Sequence, residues 1–384
     1  MVPKGWGNFM LSEICSKPIS YGIVQTGNNL PKGIPCLRVI DLTKNYVNLD
    51  DTIKTSLDIH QAYKKTILEE GDIVLALRGE VGLAHLIDES LSGINITRGL
   101  ARIAADRSKI VPDFLLWALR STKFRTDLMR RVGGSALQEI SLSELRKVEI
   151  LVPPLSEQKK IAKILSTWDK AITITEQLLT KNQQQKKALM QQLLTGKKRF
   201  SEFKGDWKYV ELGSLLGYKQ PTPYLVKSTD YNDDYETPVL TAGKTFVLGY
   251  TNEAEGIYKD KLPVIIFDDF TTDSKFVDFP FKAKSSAMKI LTARDDVSIK
   301  YVFEAMQMLD FTIGGHQRHW ISIFSNLKIA IPEIAEQQKI ASVLSTADSE
   351  LKTLKQQLNR LEQEKKALMQ QLLTGKRRVQ TEAA

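Results

Sequence analysis

The stretch Gly314-Gly315-His316-Gln317-Arg318-His319-Trp320 places four donor side chains directly after a glycine pair. Glycines let a backbone come close to a phosphate, and Gln and Arg can make paired hydrogen bonds to adenine and guanine edges. A second stretch follows the same plan: Arg130-Arg131-Val132-Gly133-Gly134-Ser135-Ala136-Leu137-Gln138. One such loop is ordinary solvated sequence, but two in one chain favour nucleic-acid binding. Arg78, Arg98, Arg102, Lys275, Lys282 and Lys284 are weaker candidate contacts, since a lone cation usually serves as surface charge.

Motifs for covalent chemistry are missing. A base-methylating site needs an Asn/Asp-Pro-Pro-aromatic run, and Val152-Pro153-Pro154-Leu155 lacks both the polar acceptor and the aromatic. There is no G-x-x-x-x-G-K-[ST] loop to cradle a nucleotide. Pro112-Asp113 with Glu157-Gln158-Lys159 would suit a nuclease, but these residues straddle a boundary and Gln158 belongs to a repeat. His316 and His319 have a spacing that zinc ligands use, yet no Cys or His clusters beside them, so no metal is expected. His60 and His85 stand alone and read as structural or surface residues. Cys15 and Cys36 are the only cysteines, too few for a disulfide framework or a four-thiolate site.

The elements that must position these loops come from an internal duplication. Lys186 to Lys197 reads KKALMQQLLTGK, and so does Lys365 to Lys376, at an offset of 365 − 186 = 179. The same offset aligns Pro153-Pro154-Leu155-Ser156-Glu157-Gln158 with Pro332-Glu333-Ile334-Ala335-Glu336-Gln337. Each repeat reads as a long helix. Proline opens it, Glu157 or Glu336 lies in the first turn, and Gly196 or Gly375 closes it ahead of a run of cations. A duplicated chain is expected to fold with approximate two-fold symmetry.

The apolar positions alternate in steps of four and three, which makes a coiled-coil seam. In the second repeat the seam is Ile340, Leu344, Ala347, Leu351, Leu354, Leu358, Leu361, Lys365, Leu368 and Leu372. In the first it is Ile161, Leu165, Trp168, Ile172, Thr175, Leu179, Asn182, Lys186, Leu189 and Leu193. Two helices packed antiparallel on each other are expected, with Ile161 opposite Leu372 and Leu193 opposite Ile340. Lys186 would then face the small Ala347, and Lys365 would face the Trp168 ring.

The segments outside the repeats read as mixed α and β. Strands are expected at 34–40, 72–77, 94–104, 263–267 and 287–291, and helices at 115–129 and 299–309. The expected division is 1–152, a first variable domain; 153–199, a central helical region; 200–331, a second variable domain; 332–379, a distal helical region; and 380–384, a tail. The fold class is α+β, two mixed α/β domains separated by an antiparallel coiled coil. The net charge of +9 favours a polyanionic partner. The opening residues MVPKGWGNFM hold no apolar signal segment, and no run approaches a membrane span, so a cytoplasmic protein is expected.

The whole chain resembles the specificity subunits of type I restriction–modification systems. The resemblance is carried by Pro153 to Gln158, by Ile161-Ala162-Lys163-Ile164-Leu165-Ser166, and by the repeated KALMQQLLTGK tail. Gly71-Asp72-Ile73-Val74 and the Gly133 to Gln138 segment are also family-like, while Glu333 stands where the first repeat has Pro154. The resemblance implies a subunit without catalytic residues that selects double-stranded DNA sites. It implies docking on two methyltransferase subunits and, through them, on motor-nuclease subunits. S-adenosylmethionine, ATP and magnesium would all lie on those partners.

The seam from Ile340 to Leu372 corresponds to about 50 Å at ~1.5 Å per residue. That spans about 15 base pairs at ~3.4 Å each, so a target of two short half-sites with an unread spacer is expected. A structural coiled-coil adaptor that binds protein partners is the alternative reading. A self-contained nuclease or methylase is a third, disfavoured by the missing motifs.

Overall fold

The computed structural model describes residues 2–43, 47–133, 138–241, 243, 245–309, 320 and 323–380. The chain forms two compact units, Met1–Thr175 with Gln357–Ala384, and Glu176–Gln356. The first contains strands β1 (Gly7–Met10), β2 (Ser20–Tyr21), β3 (Ile34–Leu37), β4 (Ile53–Thr55), β5 (Asp72–Ala76), β6 (Ala84–Leu86), β7 (Asn95–Ile96), β8 (Leu100–Ala104) and β9 (Glu149–Val152). Its helices are α1 (Leu57–Ala62), α2 (Pro112–Arg120), α3 (Thr122–Arg130) and α4 (Leu142–Arg146). The strands make a sheet ordered β2-β8-β5-β6, a sheet ordered β4-β3-β7 and the ribbon β1-β9.

Helix α5 (Leu155–Leu193) has its first half in this unit and its second half in the other. The second unit adds β10 (Lys208–Glu211), α6 (Leu212–Leu215), β11 (Leu216–Lys219), β12 (Thr237–Leu240), β13 (Val247–Thr251), β14 (Val264–Asp268), β15 (Ser274–Val277), β16 (Lys282–Ala283), β17 (Met288–Ala293), α7 (Ile299–Met306) and β18 (Lys328–Ile331). Helix α8 (Ile334–Leu372) ends in the first unit. The sheets are ordered β11-β17-β14-β15 and β13-β12-β16, with the ribbon β10-β18. This is the plan of the first unit strand for strand, down to the parallel pairs β3–β7 and β12–β16.

The central strands explain why both units hold together. In β5, Ile73 and Leu75 enter one core while Val74 and Ala76 enter another. In β14, Ile265 and Phe267 enter one core while Val264 and Ile266 enter another. Side chains alternate faces along a strand, so a continuous apolar run is needed where both faces are covered. Each fully buried Leu or Ile contributes about 2 kcal/mol.

Two expected elements prove to be broken. The expected strand 94–104 turns at Thr97, where the Leu100 amide donates to the Thr97 carbonyl at 2.9 Å; β7 joins one sheet and β8 the other. The expected helix 115–129 starts earlier and breaks at Ser121, whose Oγ accepts the Phe124 amide at 3.2 Å and so caps α3. Helix α7 stops at Met306, short of the expected end.

The long helices follow the heptad. Along the middle of α8, Leu351, Leu354, Leu358, Leu361, Lys365 and Leu368 are half-buried, and the residues between them are almost all exposed. Within the first unit, Ile161, Ala162 and Leu165 share a core with Leu368, Leu372 and Leu373. Within the second, Leu189, Leu193 and Leu194 share a core with Ile340, Ala341 and Leu344. The start of α5 thus lies against the end of α8, and the end of α5 against the start of α8, so the pair is antiparallel. Gly196 and Gly375 close the helices at φ 70° and 68°, left-handed values that glycine adopts without strain.

Candidate nucleic-acid interface

In the first unit the polar loop is tied to the end of β5. The Leu77 amide donates to the Gly99 carbonyl at 2.8 Å, and the Ile140 amide donates to the Leu77 carbonyl at 2.9 Å. Gly133 and Glu139 exchange amide–carbonyl bonds at 3.1 Å, closing the loop that contains Gln138. The Arg78 guanidinium donates to Glu139 Oε1 at 3.2 Å. Together these residues border a cavity of about 460 Å³ lined by Tyr21, Arg78, Arg98, Glu139, Ser141 and Ser143, among others. Arg98 is exposed there. Arg78 Nε is buried with no hydrogen-bond partner among the described residues, a donor that an incoming phosphate or base edge would satisfy. Hence Arg78 and Arg98, far apart in sequence, line one cavity with Glu139, the residue to which Gly133 is bonded and which Gln138 precedes. Gly134 and Ser135 lie outside the described residues.

The second unit repeats the arrangement with different chemistry. The Trp320 amide donates to Asp269 Oδ1 at 2.9 Å, directly after β14, just as Ile140 is held directly after β5. Lys289 Nζ lies 3.5 Å from Asp269 Oδ2, and both side chains are buried. The Trp320 ring packs on Phe267 with centroids 5.2 Å apart. Gly314, Gly315, His316, Gln317, Arg318 and His319 lie outside the described residues, and Trp320, their neighbour, is anchored at this strand end. Lys284 is exposed, with Nζ 5.9 Å from the Tyr231 ring centroid. Lys275 is half-buried on β15.

Three sequence candidates are committed elsewhere. Arg102 is 4% exposed; its Nε donates to Asp72 Oδ2 at 2.7 Å and its Nη1 to the Lys65 carbonyl at 3.1 Å. Burial pushes the Asp72 carboxyl above its ordinary value, against the pull of bonds from the Glu69 amide and of Arg102. Lys282 is 1% exposed and is held by Glu253 at 2.9 Å and the Glu255 carbonyl at 2.5 Å. Arg102 neutralises a buried carboxylate and Lys282 a half-buried one, and neither cation is presented to a duplex, which corrects the expectation for both. Arg131 is tied to Asp127 at 3.4 Å and Glu144 at 3.3 Å, whereas its neighbour Arg130 is exposed and unpaired among the described residues.

The helices are fastened by polar contacts that the periodicity does not reveal. Glu157 accepts Trp6 Nε1 at 3.1 Å and both Nε and Nη2 of Arg378 at 2.7 Å. Glu336 accepts Trp207 Nε1 at 3.1 Å, Arg199 Nε at 2.9 Å and Arg199 Nη2 at 2.7 Å. The neighbouring glutamines are equally matched: Gln158 Oε1 accepts the Val111 amide at 2.7 Å, and Gln337 Oε1 accepts the Ser298 amide at 2.9 Å. These glutamates and glutamines therefore dock α2 and α7 and the chain segments after each glycine, beyond any role at the helix dipole.

Of the two seam lysines, Lys365 differs from expectation. Lys365 pairs with Asp169 and stands 4.7 Å from the Trp117 ring centroid, so the aromatic partner comes from α2 rather than being Trp168. The seam residue Lys186 borders a groove with Ala347, as expected, and its ammonium reaches Asp348 at 2.6 Å and Glu304 at 3.1 Å. Lys300 completes this cluster at 2.8 Å from Asp348. Burial pushes the Asp348 carboxyl up, but hydrogen bonds from Lys186 and Lys300 outweigh it and hold it below the usual range. Sequence reasoning missed Glu139, Tyr21, Ser141 and Ser143. Asp169 and Asp348 did carry a signal, because they recur at the repeat offset of 348 − 169 = 179.

Among the described residues, no group of three or more His, Cys, Asp and Glu could hold a metal, and no helix is long and apolar enough to cross a membrane. The arrangement can bind and position a ligand with guanidinium, amide and hydroxyl donors.

The family model of the type I restriction modification DNA specificity domain matches residues 3–183 and 204–363. The chain is 48% identical over 181 residues to the EcoR124I/EcoR124II specificity subunit of Escherichia coli, a match covering 44% of this chain and 45% of that one. It is 24% identical over 364 residues to the MjaVIII specificity subunit of Methanocaldococcus jannaschii, covering 82% of this chain and 81% of that one. The fold is shared with the S subunit of a type I restriction–modification system from M. genitalium, with a TM-score of 0.70 at 15% identity over 97% of this chain and 96% of that one. With the family model covering most of its length and that likeness in fold, the chain belongs to the type I restriction–modification DNA specificity family.

Proposed function

We propose that this chain is the DNA-recognition subunit of a type I restriction–modification enzyme, reading a bipartite duplex target with one half-site per recognition domain. One observation carries the reading. Two segments of unlike sequence fold to the same sheet order, and each fastens a residue that follows a Gly-Gly polar stretch, Ile140 or Trp320, to the end of its central strand. Shared scaffold with different loop chemistry suits two readers of different base sequences.

In this reading the chain performs no chemistry. It docks on two methyltransferase subunits that bring S-adenosylmethionine and, through them, on motor-nuclease subunits that bring ATP and magnesium, all in the cytoplasm. The long helices space the two readers, and the division at 152, 199, 331 and 379 describes the chain order of readers and spacers. Replacing residues 1–150 with the corresponding segment of a relative of different specificity should change one half-site and leave the other intact. Methylation mapping checks this, and a change in both half-sites would refute modular reading.

A further inference from the structure

The exposed face of α3 has no role in the cleft beside Arg78. Thr122, Lys123, Arg125, Thr126, Met129 and Arg130 are exposed along it, while Phe124 and Leu128 anchor it in the core. Three adjoining grooves run along this face. One of about 520 Å³ is lined by Thr122, Arg125, Thr126, Met129 and Arg130. The next, about 510 Å³, shares Thr122, Thr126 and Arg130 and adds Lys123. The last, about 570 Å³, shares Lys123 and adds Lys4, Thr374 and Lys376.

Lys4, Lys123, Arg125, Arg130 and Lys376 are all exposed, and none of their side chains has a hydrogen-bond or ion-pair partner among the described residues. The acids in the grooves are occupied: Asp127 holds Arg131 at 3.4 Å, and Glu149 accepts Asn8 Nδ2 at 2.6 Å. This contrasts with Arg102 and Lys282, whose charges are spent inside the unit. Unpaired cations flanked by threonine hydroxyls suit phosphate oxygens. The α3 residues bordering the grooves include no Asn or Gln, the side chains that read adenine with paired bonds. Helix α3 ends at Arg130, three residues before Gly133, whose backbone pairs with Glu139 at the cavity beside Arg78.

We propose that this face is a phosphate-tracking surface for the sugar–phosphate backbone of duplex DNA, holding the duplex in register without selecting bases. The proposal rests on the DNA-recognition reading above and assigns that contact to α3 and its neighbours, so that Arg130, which opens the polar stretch before Gly133, touches the backbone and not the bases. Each phosphate neutralised releases counterions, so three lost contacts should lower the slope of log affinity against log salt by about 2.7.

The test compares three forms of the full chain binding a fluorescent duplex across a salt titration. They are the natural chain, the triple variant Lys123→Gln/Arg125→Gln/Arg130→Gln, and a control with the same charge change on α8, Lys352→Gln/Lys355→Gln/Lys366→Gln. The expected result is weaker binding and a slope reduced by about 2–3 for the α3 variant, a much smaller change for the control, and unchanged half-site bases on methylation mapping. An α3 variant that binds with the natural slope would overturn the proposal. So would a changed half-site, or loss of methyltransferase-subunit association with the DNA slope intact, which would mark the face as a protein contact. Absence of salt-dependent DNA binding by the natural chain would refute the DNA-recognition reading itself and this assignment with it.

Discussion

The clasp at Glu157 gives a quantitative prediction. Its carboxylate is buried and accepts three bonds, one from the Trp6 indole and two from Arg378. Glu157→Ala strands the Trp6 Nε1 donor, for which a cost of about 1–3 kcal/mol applies. The Arg378 side chain is 44% exposed and regains water, so its share of the loss is discounted to about 1 kcal/mol or less. The total is about 3 kcal/mol. Arg378→Ala instead leaves a buried carboxylate short of its counter-charge, which costs about 3–5 kcal/mol in a dry site and about 2 kcal/mol where water can reach it. The double substitution removes the carboxylate and its partner together and should cost little more than Glu157→Ala alone. The coupling is then about 2 kcal/mol, or roughly 30-fold in an equilibrium constant. Native-state hydrogen exchange at the first turns of α5 measures it locally, which suits a chain of two units better than a single global unfolding curve. Coupling below about 0.5 kcal/mol, the range expected of independent sites, would refute the reasoning. The pair Glu336 and Arg199, with the same bonds, should couple with the same sign.

Breaking the interior ion pair with Arg102→Met should destabilise its unit by about 3–5 kcal/mol, read from native-state hydrogen exchange in β5 and β8, while Arg102→Met with Asp72→Leu recovers most of the loss. Any folded protein carrying that pair should keep its half-site bases on methylation mapping, since Arg102 is buried. The folded-state value of Asp348 lies below its unfolded value, so its contribution is present above about pH 3.9 and is lost as pH falls through the lower folded value. The stability gap between the natural chain and Asp348→Asn should therefore be full at neutral pH and close in strong acid, as read from thermal midpoints; a gap independent of pH would contradict the Lys186–Asp348–Lys300 cluster.

The duplication, the two long helices and the largely apolar central strands were legible in the chain, whereas the antiparallel sense of the helices was an expectation that only the fold decided. Each legible feature is written in short-range periodicity or in a direct repeat, and neither needs knowledge of distant partners. The breaks at Ser121 and between β7 and β8 were harder, because a serine cap and a three-residue turn interrupt apolar runs that otherwise look continuous. The assignment of cations was the least legible. Arg98 and Arg102 sit four residues apart in one polar-to-apolar stretch, yet one lines an open cavity and the other is enclosed.

Sequence alone thus determined that two copies of one helix pair through a narrow apolar stripe, because helical spacing is a local property of the chain. Only the tertiary structure decided which charges face inward. Arg378 meets Glu157 across 221 residues, and Arg102 meets Asp72 across 30, because sheet register and helix docking set those separations. Composition cannot distinguish a cation that neutralises an interior carboxylate from one left free for a phosphate.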